Sequence, residues 1–445
     1  MPTIDDQLTS YLTDAHAIEE QALAQLRPAP ELTGDEELGH LFAEHLAETE
    51  EHERMVRGRL EARGAKPSKV EDLAMAAGGK GFATFARSQP DTAGKLISHA
   101  FSYEALEQAS YELLARVADI AGDAETARTA RTIRDQETGM IDRLEGAFDR
   151  SVETSLAQAD GTPLSDTLDR YLQDAHGLEA QAIQLLEESV YLAGDQELRS
   201  AYAEHLTASR EHAARLEQRL DAHGASTSKV KDAALGVGGR QWAAFFAAHP
   251  DTPGKVAAFV YAFQHLKIAG YEQLSRVARR AGDEETVRVL LPILCEERSA
   301  AERVAGLFDQ AIRASLEARE TESDHRIPQP IKARAHGIMD YGFVGLMTTV
   351  PSLLGLSGRA RAVAAGFGAV QGVVNALTDT RVGVKPVITL RTHGWLEAAS
   401  GPAFVGVPYA LGVLEDRRAR AFFGGALAAL VTAYTLTDWK APADS

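Results

Sequence analysis

The stretch Glu44-His-Leu-Ala-Glu-Thr-Glu-Glu-His52 returns 160 residues later as Glu204-His-Leu-Thr-Ala-Ser-Arg-Glu-His212. On a helix, His45, Glu48 and His52 are spaced i, i+3 and i+7 and leave the same face. Working outward, the 160-residue offset holds without gaps at every landmark. Tyr11-Leu-Thr-Asp-Ala-His16 matches Tyr171-Leu-Gln-Asp-Ala-His176, and Asp91-Thr-Ala-Gly-Lys95 matches Asp251-Thr-Pro-Gly-Lys255. Ser68-Lys-Val70 matches Ser228-Lys-Val230, Tyr111-Glu112 matches Tyr271-Glu272, and Ala121-Gly-Asp123 matches Ala281-Gly-Asp283. A fixed period of this length marks a duplicated domain, joined by a short linker around Ala159–Pro163.

Each copy reads as helical. The segments near 4–26, 35–63, 93–121 and 123–155 are rich in Ala, Leu, Glu and Arg, with apolar residues at helical spacing. Pro28, Pro30, Gly34, Gly64, Pro67 and Gly122 punctuate them. The connection over 64–92 is long, and a short extra helix is expected around Val70–Ala76. The expected architecture is a four-helix bundle with one long connection, the ferritin-like topology.

Each long helix of the first copy carries acidic or His residues where a core-facing stripe could lie. They are Glu19 on the first, His45, Glu48 and His52 on the second, Glu104 and Glu107 on the third, and Glu137 on the fourth. Bundles that hold two metals draw Glu and His from all four helices, and carboxylates with imidazole suit iron or manganese. The motifs Tyr11…Asp14…Glu19-Glu-Gln21, His45-Leu-Ala-Glu48-Thr49…His52, Tyr103-Glu-Ala-Leu-Glu107…Tyr111 and Glu137 before Leu144 resemble the YciE/YciF-type ferritin-like stress proteins. The resemblance implies a ferritin-like bundle and a dinuclear iron or manganese site. Its metal ligands would be Glu19, Glu48, Glu104, Glu107 and Glu137, with His52 as a further one; it implies no particular reaction.

Two departures from that pattern matter. No Glu-x-x-His occurs at the expected places, since Glu48 meets His52 at four residues and Met140 follows Glu137. The second copy has Ala208, Gln264 and Lys267 in place of Glu48, Glu104 and Glu107, while Glu179, His205, His212 and Glu297 persist. A lysine would add a positive charge where two cations already sit. The second copy is therefore expected to be a metal-free, degenerate repeat packed on the first as a pseudo-dimer. Survival of His45 and His52, as His205 and His212, in the copy that lost its acids favours a structural, hydrogen-bonded role for both. Cys295, the only cysteine, is expected to be an inert buried thiol.

Beyond Arg319–Pro330 the composition changes. From Arg326 onward there are 12 Lys/Arg against 7 Asp/Glu, a net of +5, whereas residues 1–325 hold 34 against 57, a net of −23. Four apolar, Gly/Ala-rich stretches follow, near Gly337–Leu356, Ala362–Leu377, Gly394–Leu414 and Ala421–Leu436. Each approaches the ~17–25 residues that cross a bilayer. Trp395 and Trp439 stand at segment ends. His336-Gly-Ile-Met-Asp340 parallels His393-Gly-Trp-Leu-Glu397, and Leu377-Thr-Asp379 parallels Leu436-Thr-Asp438, so two hairpins in tandem are expected. This layout loosely resembles the SPW-repeat membrane proteins, although the Ser-Pro-Trp signature is absent. Asp340 and Glu397 would lie inside spans and pair with nearby His or Arg across the pseudo-twofold, a transport role being the alternative.

The expected fold is thus all-α: ferritin-like repeats over 1–158 and 164–320, then a four-helix transmembrane domain over 331–440. Flanking charges, seven Lys/Arg against five, place both ends in the cytoplasm, and the polar N-terminus lacks a signal peptide's apolar core. The expected setting is the inner (plasma) membrane, multi-pass, with the acidic bundles cytoplasmic. One cysteine excludes a disulfide scaffold and Cys-rich metal sites, and a net charge of −18 argues against a nucleic-acid partner. The partners expected are the lipid bilayer and, through the bundles, further copies of the chain. The function expected is iron or manganese chemistry on peroxide or ferrous iron under stress. The alternative is a non-enzymatic binding or sensing module.

Overall fold

A computed structural model describes residues 3–65, 91–159, 161–225, 252–321, 330–439 and 441–443. The helix expected around Val70–Ala76 lies outside the described residues. The chain divides into two compact units, Met1–Glu322 and Ser323–Ser445.

In the first unit, one repeat comprises α1 (Ile4–Leu26), α2 (Ala29–Leu32), α3 (Glu36–Ala62), α4 (Thr92–Ala121), α5 (Ala124–Gly146) and α6 (Phe148–Gln158). The other comprises α7 (Leu164–Leu192), α8 (Gln196–Ala222), α9 (Thr252–Ala281), α10 (Glu284–Ala305) and α11 (Phe308–Thr321). The helix starts are written in the sequence: Asp35 accepts from the amides of Glu37 and Leu38, and Asp195 does the same for Glu197 and Leu198. Gly122 at φ 75° and Gly282 at φ 72° end α4 and α9 in the left-handed conformation that glycine adopts freely.

Three details depart from the sequence reading. The fourth helix breaks at Gly146–Ala147 into α5 and α6, and its copy breaks at Gly306. Proline also makes the repeats differ. Pro28 and Pro30 cut α1 from the one-turn α2, whereas Glu188 and Val190 let α7 run unbroken for 29 residues. Cys295 is exposed rather than buried, because it falls on the outer face of α10 while Leu294 and Glu297 turn inward.

The repeats share one core, in which Ala22, Leu26, Phe42, Phe101 and Leu144 of the first cluster with Leu168, Leu172, Ile268 and Leu290 of the second. Polar contacts across the join obey the pseudo-twofold. Lys95 pairs with Asp174 at 2.6 Å and Lys255 with Asp14 at 2.9 Å; within each repeat, the Gly94 and Gly254 amides donate to Ser155 and Ser315, each at 2.8 Å.

The second unit contains α12 (Ala333–Leu353), α13 (Gly358–Leu377), α14 (Leu390–Ala410) and α15 (Arg417–Leu436). Phe404, Phe422, Phe423, Met347 and small residues such as Ala364 and Ala419 form its core. Four spans were expected here. Among the described residues only α15, with mean hydropathy 1.3, is both long and apolar enough to cross a membrane. The other three carry His336, Asp340, Gln371, Asn375, His393 and Glu397, which lower their average.

Candidate metal centre

The first repeat folds so that four helices aim ionisable groups at one point. α1 contributes Glu19, α3 contributes His45 and His52, α4 contributes Glu104 and Glu107, and α5 contributes Glu137. All six side chains are at most 2% exposed. The i, i+7 spacing of the histidines and the i, i+3 spacing of the glutamates put each pair on the inward face.

Two ligating groups form, His45–Glu104–Glu107–Glu137 and Glu19–His52–Glu137, and they share Glu137. His45 Nε2 lies 3.0 Å from Glu104 Oε1, and His52 Nδ1 lies 2.7 Å from Glu137 Oε1. Both oxygens of Glu107, together with Glu137 Oε2, Glu19 Oε2 and Glu104 Oε2, find no hydrogen-bond partner. Buried oxygens left in this way are costly unless a proton or a cation joins them. The Tyr111 hydroxyl donates to Glu19 Oε1.

Burial dominates the titration of these acids. It pushes Glu19 up to about 8 and Glu137 up to about 7, and raises Glu107 as well, with neighbouring carboxylates adding to the effect. Glu104 goes the other way: burial would raise it, but the His45 ring beside it outweighs burial and holds the carboxyl down. His45, which burial alone would lower, is driven up to about 10 chiefly by Glu104.

Of the residues picked from the sequence, Glu19, His52, Glu104, Glu107 and Glu137 come together and Glu48 does not. Its side chain is 37% exposed and pairs with Arg143 at 2.5 Å. It also faces His45 Nδ1 at 3.4 Å, so it stands behind the ring and favours the tautomer whose Nε2 lone pair points inward. Gln136 Oε1 does the same for His52, meeting Nε2 at 3.1 Å. His45, read from the sequence as structural, takes the place expected for Glu48. The usable signal was its seven-residue spacing from His52.

The second repeat holds the counterpart. Lys267 is fully buried, with Nζ 2.9 Å from Glu179 Oε2, 2.6 Å from Glu297 Oε1 and 3.0 Å from Ser209 Oγ. His205 Nε2 meets Glu297 at 3.1 Å and His212 Nδ1 meets it at 3.0 Å. Gln264 binds His205 Nδ1 at 2.8 Å.

Residues 3–157 and again 163–317 match the family described as a domain of unknown function (DUF892). The chain belongs to this family. It is related to the YciF-like ferritin-like proteins. The match stops at residue 317, so the likeness of residues 331–440 to SPW-repeat proteins gains no support from it. No solved structure matches the chain.

Proposed function

We propose that the first repeat holds a pair of iron or manganese ions and acts on a small oxidant such as peroxide, or on ferrous iron. The observation carrying this reading is the buried centre in which two ligating groups share Glu137. His45, Glu104 and Glu107 would hold one ion, Glu19 and His52 the other, and Glu137 would lie between them. Four carboxylates offset two divalent cations, and the imidazoles complete the coordination without adding charge. Bound there, the ions would supply one-electron redox steps. The protein's own groups orient and hold protons: Tyr111 donates to Glu19, while Glu48 and Gln136 fix the two rings. A cavity of about 20 Å³, lined by Gln25, His99, Tyr103 and Glu104, reaches the centre's edge. It has room for something the size of water or peroxide.

The test uses the full chain, reconstituted with Fe²⁺ or Mn²⁺ and assayed for bound metal. About two ions per chain are expected to be lost in Glu104→Gln/Glu137→Gln, a difference that counts the first repeat apart from any other site on the chain. A folded parent that holds no more metal than this variant ends the proposal, and a further pair lost in Glu179→Gln/Glu297→Gln would assign a site to the second repeat as well. The second reading is a non-enzymatic module, favoured by the lysine-filled centre of the second repeat. Peroxide consumption by the metal-loaded chain distinguishes the two.

We also infer that residues 331–440 sit in a membrane and that the repeats face the cytoplasm. Supporting this, large apolar side chains including Ile338, Met339, Leu353, Val370, Val373 and Val431 are exposed in this unit, where lipid contact would cover them. Recovery of the chain in carbonate-washed membranes supports the assignment; recovery in the supernatant overturns it. A reporter fused after Ser445 that works only in the periplasm would reverse the orientation.

A further inference from the structure

The second unit gathers another set of ligating groups, separate from both repeats. α12 presents His336 and Asp340, and α14 presents His393 and Glu397, each pair four residues apart and so one turn along a helix. His336, His393 and Asp340 are 1%, 0% and 3% exposed. His336 Nε2, Asp340 Oδ2, His393 Nε2 and Glu397 Oε2 are buried and make no hydrogen bond. The four residues offer one atom each within 4.8 Å of one another.

We propose that these four side chains bind a single divalent first-row transition-metal ion, of the zinc or iron(II) class, which clamps α12 to α14. The separations fit. His393 Nε2 lies 3.2 Å from Asp340 Oδ2, and His336 Nε2 lies 3.6 Å from both Asp340 Oδ2 and Glu397 Oε2. Tetrahedral ligands about 2.0 Å from one ion are about 3.3 Å apart. Two carboxylates cancel a divalent charge, leaving a neutral centre suited to a buried site, and two imidazoles favour a transition ion over magnesium or calcium. Four protein ligands leave no open position, which makes the site structural.

The surroundings hold each ligand in its metal-binding form. Thr437 Oγ1 donates to Ala433 O at 2.6 Å and Thr378 Oγ1 donates to Val374 O at 2.7 Å. Each hydroxyl has thereby spent its proton and can only accept from the ring beside it. His336 Nδ1 lies 2.9 Å from Thr437 Oγ1, and His393 Nδ1 lies 2.7 Å from Thr378 Oγ1. Both rings therefore carry hydrogen on Nδ1, and in the neutral form each Nε2 turns a lone pair to the centre. Gln371 Nε2 donates to Asp340 Oδ1 at 3.1 Å and to Glu397 Oε1 at 2.9 Å, which leaves the other carboxylate oxygens inward. The Trp439 ring packs 4.6 Å from the His336 ring, and a Cβ at Gly394 would come within 2.7 Å of the indole. The glycine after His393 lets the tryptophan close over the site. Both His-Gly pairs and both Leu-Thr-Asp segments belong to the internal duplication, so the pseudo-twofold supplies the ligands and their supports together.

The test counts metal on the solubilised full chain bearing Glu104→Gln/Glu137→Gln, so that the proposed centre in the first repeat does not contribute. After chelation and loading with Co²⁺, about one ion per chain is expected, with the strong visible bands of four-coordinate cobalt. His393→Gln should abolish both. Thr378→Val/Thr437→Val keeps all four ligands, and metal affinity should fall about 10–100-fold. Should His393→Gln fail to fold, the threonine pair carries the test. If the first-repeat variant fails, the unmodified chain replaces it, and the threonine variant should then hold one ion fewer at limiting metal. A folded chain with no cobalt bound here, or with a spectrum unchanged by both sets of substitutions, leaves only a histidine–carboxylate hydrogen-bond network and overturns the proposal.

Discussion

The two repeats build the same cage and fill it differently. Tyr111 and Tyr271 donate to Glu19 and Glu179, and His52 and His212 face Glu137 and Glu297, at positions 160 residues apart. The first cage then adds Glu104 and Glu107, giving four buried carboxylates, each of which keeps at least one oxygen without a protein donor. The second has Gln264 and Lys267 there, and the ammonium bonds both remaining carboxylates. Burial opposes the charge on Lys267, His212 and Glu297, yet the partners win. Glu179 and Glu297 keep Lys267 protonated and lift His212 to about 9, while Lys267 holds Glu297 well below its usual range. One centre is electrically complete from its own chain; the other is complete only with added protons or cations.

Exchanging the contents should therefore exchange the behaviour. Glu104→Gln/Glu107→Lys gives the first cage the second's chemistry. Metal bound by the repeats should fall from about two ions to none while the chain stays folded. The reciprocal Gln264→Glu/Lys267→Glu should create metal binding in the second repeat and make its folding metal-dependent. If elemental analysis finds neither the loss nor the gain, ligation is not what separates the repeats. Next in size is Lys267→Met, which strands two buried carboxylates. Breaking a buried pair by removing one partner costs about 3–5 kcal/mol, which denaturant titration would resolve. The same experiment on Glu107→Met, in metal-free buffer, should instead be neutral or stabilising, because it removes an uncompensated acid.

A pH series sharpens the contrast. Glu19 and Glu137 have folded pKa values raised from 4.5 to about 8 and about 7. Between those limits the folded chain holds protons that the unfolded chain releases, so metal-free stability falls as pH rises from about 5 to 8. His45, raised to about 10, acts in the same direction above its unfolded value of 6.5. In the second repeat, Glu297's contribution is present above the unfolded pKa of 4.5, and His212's is lost only as pH climbs towards about 9. The melting temperature of the metal-free chain should thus decline from pH 5 to 8, and Glu104→Gln/Glu107→Lys should flatten the decline. Metal must displace those protons, so loading should release acid and weaken as pH falls. A metal affinity unchanged between pH 6 and 8 would contradict this account.

Much of this was legible in the sequence because duplication repeats every constraint at a fixed offset. The bundle helices follow from residue type and helical spacing, and five of the six proposed ligands stand among the residues that the family resemblance implied. Glu48 misled because it shares a face with His52. Periodicity cannot say that a face wide enough for three residues has its edge in solvent, where Arg143 captures the carboxylate. Cys295 misled in the same way, one position off the buried stripe of α10. The C-terminal histidines were visible as a repeated His-x-x-x-acid pattern. Their convergence depends on how α12 meets α14, which no local pattern encodes.

The smallest effect is expected at the tyrosines. Tyr111→Phe and Tyr271→Phe each remove one hydroxyl from a buried carboxylate, at about 1–3 kcal/mol for a hydrogen bond to a charged group. The two should not be equal. In the second repeat Glu179 lies 2.9 Å from the Lys267 ammonium, so Tyr271 serves an acceptor held in an ion pair and its loss should fall near the upper end. In the metal-free first repeat Glu19 is raised to about 8, and at pH 6 it is mostly protonated and accepts weakly, so Tyr111→Phe should cost less. Loading metal ionises Glu19 and should bring the two costs together. Equal losses in metal-free buffer at pH 6 would mean that Glu19 is already charged, and that some group other than an added ion balances the first cage.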